Sequence, residues 1–496
     1  MQRRTNGRRP LMVSAVCSGL LLLIGGSTLQ AQDNAKAEAK TEHLFRAGAA
    51  TSNITPPLGS PIVGNFVTPP ATHVHDDLHA RCLVLDDGKT RLAFAICDNV
   101  GIPREVFDAA KKMIKDETGL PEANVILAAN HTHSATSARS PNPMNPESEL
   151  SDYQKFLTRR IADGIQRAIN NLEPAQIAWG SADVPDQVFN RRWLMKPGTP
   201  LPNPQGGQDK AKMNPGRANP NLLEPAGPTD PQVSFVSVQS KDGRPIALLA
   251  NYSLHYVGGV PKGHISGDYF AVFAHKVGQL LKAGETDPPF VGIMSNGTSG
   301  DVNNVDVRPT TKAKAHAPYE KMREVADEVA RAVVKAHQDV KFQDWVPLSA
   351  AHKELVLAVR KPNEEQLAYA RAVLAKPDSE KPKHPLEKNY ANRAVQLYGS
   401  PDEVSIPLQA FRIGTLGIAA IPFEVFTESG LAIKEKSPLK PSFTIELANG
   451  SYGYLPTPRH HELGGYEAWL GTNKVEPQAS EKIVKTILDL FEGLKP

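Results

Sequence analysis

The chain is 496 residues long, 40% hydrophobic and 22% charged, with 56 basic and 53 acidic residues and a formal net charge of +3. Four of its arginines lie in residues 1–31, which contain no acid, so the remainder stands at 52 basic to 53 acidic and offers no basic stripe for nucleic acid. What remains exceeds one typical core, which predicts one large elaborated domain or two.

Arg3, Arg4, Arg8 and Arg9 precede an apolar run from Leu11 to Ile24, and small and polar residues follow through Ala31. That order is the signature of a secretory signal peptide over 1–31, predicting an exported protein, periplasmic or secreted. The run is short for a membrane span, which needs about 20 apolar residues; an uncleaved anchor is the alternative. The paired arginines point weakly to a twin-arginine route. Residues 32–43 are polar and charged and read as a mobile linker, and the compact part is expected over 44–496.

Strand-like runs fall at Ala80–Leu85, Leu92–Ile96, Val125–Ala129, Val233–Val238, Ile246–Leu249, Val291–Met294 and Phe443–Leu447. Between the first two, Asp86-Asp87-Gly88 reads as a turn. Residue parity then places Cys82 and Cys97 on one sheet face, either paired in an oxidising compartment or as two independent buried thiols. Helical periodicity appears at Arg104–Glu117, Tyr153–Asn171, Ala271–Ala283, Tyr319–Gln338, Glu364–Leu374 and Ser480–Leu494. Strands alternating with amphipathic helices predict an α/β protein, with mixed β-sheets covered by helices. Residues 197–230 are crowded with Pro, Gly and Asn, and predict a functional lid or an insertion ordered by its neighbours. Residues 376–388 read as a Pro- and Lys-rich surface excursion, and no internal repeat is visible.

The run Val125–Ala129 ends in Asn130-His131-Thr132-His133-Ser134. Two histidines one residue apart at a strand end suggest a metal hydrolase, since neutral imidazole is the commonest zinc-binding side chain. Alone the pair is weak, and four later segments give it company. Asn251-Tyr252-Ser253-Leu254-His255 ends another apolar run in histidine, and Ser266-Gly267-Asp268 follows. A polar, Gly-rich turn, Ser295 to Asn304, comes after the strand-like Val291–Met294. Pro422-Phe423-Glu424-Val425-Phe426-Thr427 sets one acid among apolar residues, and Asn449 to Thr457 leads on to Tyr466-Glu467-Ala468.

In this order the segments resemble the catalytic domain of the neutral, non-lysosomal ceramidases, zinc amidases that cleave the fatty amide of ceramide. The family's T-H-T-H-S is matched by Asn130–Ser134 with Asn in the first place, and its S-G-D by Ser266–Asp268. Its P-G-E-F-T resembles 422–427 with a one-residue difference, and its N-x-Y-x-x-Y-x-T-T resembles 449–457 with Ser451 at the first tyrosine. The resemblance spans about residues 45–480. It implies zinc held by His131, His255, Glu424 and Tyr454. Two imidazoles and a carboxylate form an open site of the hydrolytic kind, to which a phenolate is a less usual addition. His133 is expected to stabilise an oxyanion or pass a proton to the leaving amine. Arg191 matches loosely an arginine near the family's site, Asp268 is expected to orient a zinc-bound histidine, and Tyr466 to line the same wall.

Two departures stand out. The family's G-D-x-S-P-N turn carries a serine proposed as nucleophile, and Asn303 stands there in Gly300-Asp301-Val302-Asn303-Asn304. Asparagine forms no acyl-enzyme but can donate to an oxyanion, which shifts the expectation to attack by zinc-activated water. The family also continues into a C-terminal β-sandwich-like domain after Y-E-A, whereas this sequence ends at Pro496, which puts long-chain ceramide and membrane docking in question. The expectation is a zinc-dependent hydrolase acting on an N-acyl amide such as a ceramide-like lipid, with no integral span once the signal is removed and membrane contact left open. The alternatives are a zinc esterase or deacylase on a polar glycoconjugate, and a non-catalytic exported binding protein.

Overall fold

Alternation along Arg91–Cys97 sorts its side chains into two cores: Leu92, Phe94 and Ile96 point between two sheets, whereas Ala93, Ala95 and Cys97 point to a helical layer. The computed structural model describes residues 44–496 apart from 65–66, 137, 139–142, 146–148, 311–313 and 378. The expected signal and linker, at 1–43, lie outside the described residues.

The larger sheet has eight strands: β1 (Arg46–Asn53), β2 (His79–Asp86), β3 (Arg91–Cys97), β4 (Val125–Ala129), β5 (Glu173–Asp183), β6 (Gln232–Ser240), β7 (Pro245–Tyr252) and β8 (Val291–Asn296). Their spatial order is β8-β7-β6-β5-β1-β2-β3-β4. The second sheet runs β9 (Leu348–Ala358), β10 (Glu403–Ile413), β11 (Leu416–Ile421), and, beyond the two-residue β12 (Glu424–Val425), β13 (Ser442–Glu446). A further short strand, β14 (Tyr454–Leu455), pairs in parallel with β12.

One unit recurs three times: an antiparallel hairpin, a helix, and a strand returning parallel to the hairpin's second strand. It is built by β2-β3, α1 (Arg104–Thr118) and β4; by β6-β7, α3 (Asp268–Leu280) and β8; and by β10-β11, α7 (Thr427–Lys436) and β13. Parallel neighbours need such a crossover, which brings a helix onto the sheet face. The sequence shows no repeat because the shared feature is topology, not residue pattern.

The two sheets pack face to face, with Phe94 of β3 meeting Phe411 of β10 edge-on at 5.3 Å between ring centroids. Helices α1 and α2 (Asp152–Asn170) cover one half of the larger sheet, and α3 with α4 (Glu320–His337) covers the other. The second sheet is covered by α5 (Glu364–Leu374), α6 (Glu387–Tyr398), α7 and α8 (Ala479–Gly493). The sheets also join at one edge. Asn449 donates its N–H to the Leu127 carbonyl (2.7 Å), and Ala129 donates to Leu447 (3.2 Å), tying β4 to the chain leaving β13.

Cys82 and Cys97 both face the helical layer and are free thiols, two residues out of register across the β2–β3 ladder. The segment 197–230 is ordered by its neighbours: Arg192–Met195 sits between Ala211–Met213 and Leu222–Pro225 in a three-stranded antiparallel ribbon. Of the expected excursion at 376–388, the last two residues begin α6.

Candidate metal centre

The C-terminal ends of the parallel strands converge at the seam between the sheets. His131 lies two residues beyond β4, His255 three beyond β7, and Glu424 three beyond β11. His131 has φ 76°, a left-handed conformation that costs a non-glycine residue about 1–3 kcal/mol. Its backbone N–H donates to Asn99 (2.9 Å), and Asn130 beside it donates its amide to Asp98 (2.6 Å), which is held in turn by Arg81 (2.5 Å). The strained turn is thus fixed from both sides.

Three imidazoles meet here. Nε2 of His131 is 3.0 Å from Nε2 of His255 and 3.1 Å from Nε2 of His133. Among the described residues these three form the group able to hold a metal ion. The tautomers follow from the outer contacts. Nδ1–H of His131 donates to the Val100 carbonyl (2.5 Å), and Nδ1–H of His255 donates to the Ser299 carbonyl (3.2 Å). With these tautomers both Nε2 atoms turn lone pairs toward each other across 3.0 Å, an arrangement that a cation between them stabilises. A proton is disfavoured, because burial, with His131, Arg191 and His133 nearby, holds His255 well below the ordinary histidine range. A divalent metal fits this donor set, and Glu424 adds a carboxylate oxygen 3.3 Å from His131 Nε2.

Glu424 and Tyr454 are directly paired across β12 and β14, which sets the Tyr454 hydroxyl beside the Glu424 carboxylate. Burial keeps that phenol well above its ordinary range, opposed by Arg191 and reinforced by Glu424 and Tyr466. Arg191 donates to Tyr454 Oη (3.0 Å), to the Gly300 carbonyl (3.0 Å) and to Glu467 (2.9 Å). Glu467 is shared with Arg192 (2.5 Å), and all three side chains are buried. A buried carboxylate that bridges two guanidiniums, one charge-assisted hydrogen bond from each, orients both.

His133 is half-buried, its ring stacked on Tyr256 at 3.8 Å. Gly64 lies against it with φ 118°, and a Cβ there would fall 2.6 Å from the imidazole. The turn after β8 passes as closely over Glu424: a Cβ on Gly300 would be 2.6 Å from the Glu424 carbonyl oxygen.

A cavity of about 220 Å³ opens on one side, lined by Glu424, Tyr454 and Tyr466. A second, of about 290 Å³, is lined by Arg191, His255, Tyr256 and Asn303, with Asn214 and Arg217 from the ribbon. So the structure brings together His131, His133, His255, Glu424, Tyr454 and Arg191, and places Tyr466 and Asn303 on the adjoining walls. Asn303 donates to Asn214 (2.7 Å) and accepts from Val305 N–H (3.0 Å), so its amide faces the ribbon.

Asp268 departs from the role expected of it. Its carboxylate accepts from the N–H groups of Val257 (3.2 Å), Gly258 (2.8 Å) and Tyr269 (2.6 Å), and among the described residues it hydrogen-bonds no histidine. Left-handed at φ 56° and starting α3, it holds the loop after His255 through backbone bonds that a sequence motif does not reveal.

The partner of His255 is Ser299, and behind it stands Glu446. Ser299 Oγ donates to Glu446 Oε1 (2.7 Å), while Glu446 Oε2 accepts from Val425 N–H (2.7 Å) and Ser299 N–H (3.2 Å). One buried carboxylate thereby braces both the His255 side and the Glu424 strand. Burial raises it well above the ordinary carboxyl range, against the Ser299 hydrogen bond and with Glu424 adding to the rise. Sequence reasoning missed Glu446, Ser299, Glu467 and Tyr256. The signals available were an acid ending an apolar strand, a hydroxyl inside the polar turn, the middle of Tyr466-Glu467-Ala468, and the residue next to His255.

Residues 45–336 match the family model for neutral/alkaline non-lysosomal ceramidase, N-terminal. The fold is similar to that of a neutral ceramidase from Pseudomonas aeruginosa, at 17% identity and a TM-score of 0.67, over 91% of this chain and 75% of that one. A ceramidase complexed with C2 is similar at 16% identity and a TM-score of 0.65, with the same coverage. At such identities the likeness concerns the fold, and mixed sheets covered by helices are the neutral ceramidase catalytic architecture. With more than half of its length matched by the family model, the chain belongs to the neutral/alkaline non-lysosomal ceramidases.

Proposed function

We propose that this protein is an exported zinc-dependent hydrolase that cleaves an N-acyl amide bond in a ceramide-like lipid, with water as the nucleophile. The observation that carries the reading is the pair of Nε2 lone pairs facing each other at 3.0 Å, with Glu424 beside them. Family membership, in a group of metal-dependent amide hydrolases, supports the same chemistry. Zinc held there supplies Lewis acidity, which polarises an acyl carbonyl and lowers the pKa of water to about 7.

The chain's own residues supply the rest. His131 and His255 are fixed as Nε2 donors by Val100 and Ser299, so neither reorients during turnover. His133, clamped between Tyr256 and the backbone at Gly64, keeps its imidazole beside the reacting centre and passes a proton to the departing amine. Arg191 places a buried positive charge against Tyr454 and holds that hydroxyl toward Glu424. Asn303 stands where the family's proposed nucleophile would be, which favours a direct route without an acyl-enzyme.

One observation favours a second reading. The cavity beside His255 is lined by Asn214, Asn303, Asn304 and Arg217, a polar wall suited to the hydroxyl groups of a glycoconjugate. A deacylase or esterase acting on such a headgroup would use the same centre.

The deciding experiment pairs metal analysis with hydrolysis of a short-chain fluorescent ceramide by intact protein, His131→Ala and Glu424→Ala. About one zinc per chain and activity lost at least ~100-fold in both variants is the expected result. Zinc without ceramide turnover would transfer the reading to the glycoconjugate deacylase, and absence of bound zinc would overturn both.

A further inference from the structure

The cavity that exposes Glu424 and Tyr454 also carries two cations that the hydrolytic reading leaves unused, Arg393 on α6 and Lys474. They reach the cavity because two glycines leave its wall bare. Gly471 (φ 97°) lets the Arg393 stem lie against the main chain, and a Cβ there would fall 2.8 Å from Arg393 Cβ. Gly453 (φ 98°) directly precedes Tyr454, and a Cβ there would be 3.0 Å from Lys474 Nζ. A cationic head is thus set beside a residue proposed to hold the metal. The Arg393 guanidinium lies over the Tyr390 ring at 4.8 Å and meets no carboxylate within ion-pair distance among the described residues.

Glu424 is the one carboxylate among the described residues that line this cavity, and its charge faces His131. The remaining polar lining, Gln396 and Ser451 among it, is neutral. A confined space onto which the Arg393 guanidinium opens, and whose one acid among the described lining residues is turned toward the imidazoles, favours an anionic occupant. A guanidinium recognises such a group through paired, charge-assisted hydrogen bonds.

We propose that this cavity binds an anionic group of the substrate, a carboxylate, sulfate or phosphate carried a few bonds from the scissile amide. The proposal rests on the hydrolase reading for the word substrate, and its anion site is tested separately from that reading. The anion has two alternative sources: the amine side, as in an N-acyl amino acid, or the acyl side, as in the monoamide of a dicarboxylic acid.

The test uses zinc-loaded full-length protein and three amides of matched size: N-hexanoyl ethanolamide, N-hexanoylglycine and the ethanolamide of adipic acid. One of the two anionic amides is expected to exceed the neutral one about tenfold in kcat/KM, chiefly through KM, and which one identifies the side. That ratio should fall at least fivefold in Arg393→Gln, recover in part in Arg393→Lys, and shrink with added salt. Equal turnover of all three amides, with a ratio unmoved by Arg393→Gln, would overturn the proposal. Sulfate at constant ionic strength provides a readout without turnover. A rise in Tm for the intact protein that is absent in Arg393→Gln supports the anion site even if no amide is cleaved, in which case only the hydrolase reading fails. No sulfate effect on the intact protein, together with no anionic preference, would refute the site.

Discussion

Glu446 shows how one side chain can govern the centre without touching it. Its carboxylate spans from Ser299, the partner of His255, to the backbone beside Glu424. Outer partners of metal ligands commonly contribute about 10–100-fold in metal affinity. Glu446→Gln is therefore expected to lower zinc affinity by about that factor, measured by competition with a chelator, while the circular dichroism spectrum is unchanged. Affinity equal to that of the intact protein would show that Ser299 orients His255 unaided. At this scale the sequence pointed to His131, His255, Glu424 and Tyr454 through the order of motifs that carries the family resemblance, and the structure brings these four together. The sequence was opaque where a role depends on a partner far along the chain: Ser299 and Glu446 are 147 residues apart. Asp268 misled for the same reason, since S-G-D advertises a carboxylate but not the three backbone donors that occupy it.

Helix α1 carries an unusual anchor between the layers, the buried Lys111, whose Nζ donates to Gln409 of β10 at a long 3.4 Å. Burial pulls its ammonium down to about 8, so the folded protein sheds this proton more readily than the unfolded chain. The unfolded state therefore binds more protons between pH 8 and about 10.5, and Lys111 costs stability as pH falls through that window. Lys111→Met is expected to stabilise the fold by about 1–3 kcal/mol at pH 7, with the gain fading toward pH 10.5. Gln409 Oε1 keeps its bond from Asn449 (2.8 Å), so the substitution orphans no acceptor. Urea unfolding at the two pH values checks this, and a destabilised variant at pH 7 would refute it. Among elements, all seven expected strands and all six expected helices exist within a few residues. Those not foreseen have physical reasons for escaping notice. β1 is rich in alanine and other small residues and is a strand because β2 and β5 enclose it. β10 contains Pro407, which argues against a central strand, yet its pairing with β11 begins only at Gln409, beyond the missing N–H. α7, with Ser429 and Gly430 in its middle, has too weak a stripe to announce itself.

On the whole-molecule scale the proposed ligands come from both sheets: His131 and His255 follow strands of the larger, and Glu424 follows a strand of the smaller. A metal bound there ties the two layers together as well as serving chemistry. Removing it with a chelator is expected to lower Tm by about 3 °C, the effect of about 2.7 kcal/mol at a metal concentration of about 100 Kd on a chain of this size. Zinc should restore the value in the intact protein and not in His131→Ala. An unchanged Tm on chelation would mean that the seam holds without metal. The architecture was legible in the sequence as alternating strands and helices, but the order of the strands and the junction of β4 with the chain leaving β13 were not, because both depend on pairings across hundreds of residues.

The threefold recurrence of hairpin, helix and parallel strand has a temporal side. The first unit presents His131, the second His255, and only the third brings Glu424, about 170 residues later. At a synthesis rate of roughly 5–20 residues per second, a nascent chain spends about 10–30 s with two imidazoles made and no carboxylate to join them. On the proposed ligand set, competence arrives with the last third of the polypeptide, so a prematurely terminated product would be inert rather than a stray hydrolase.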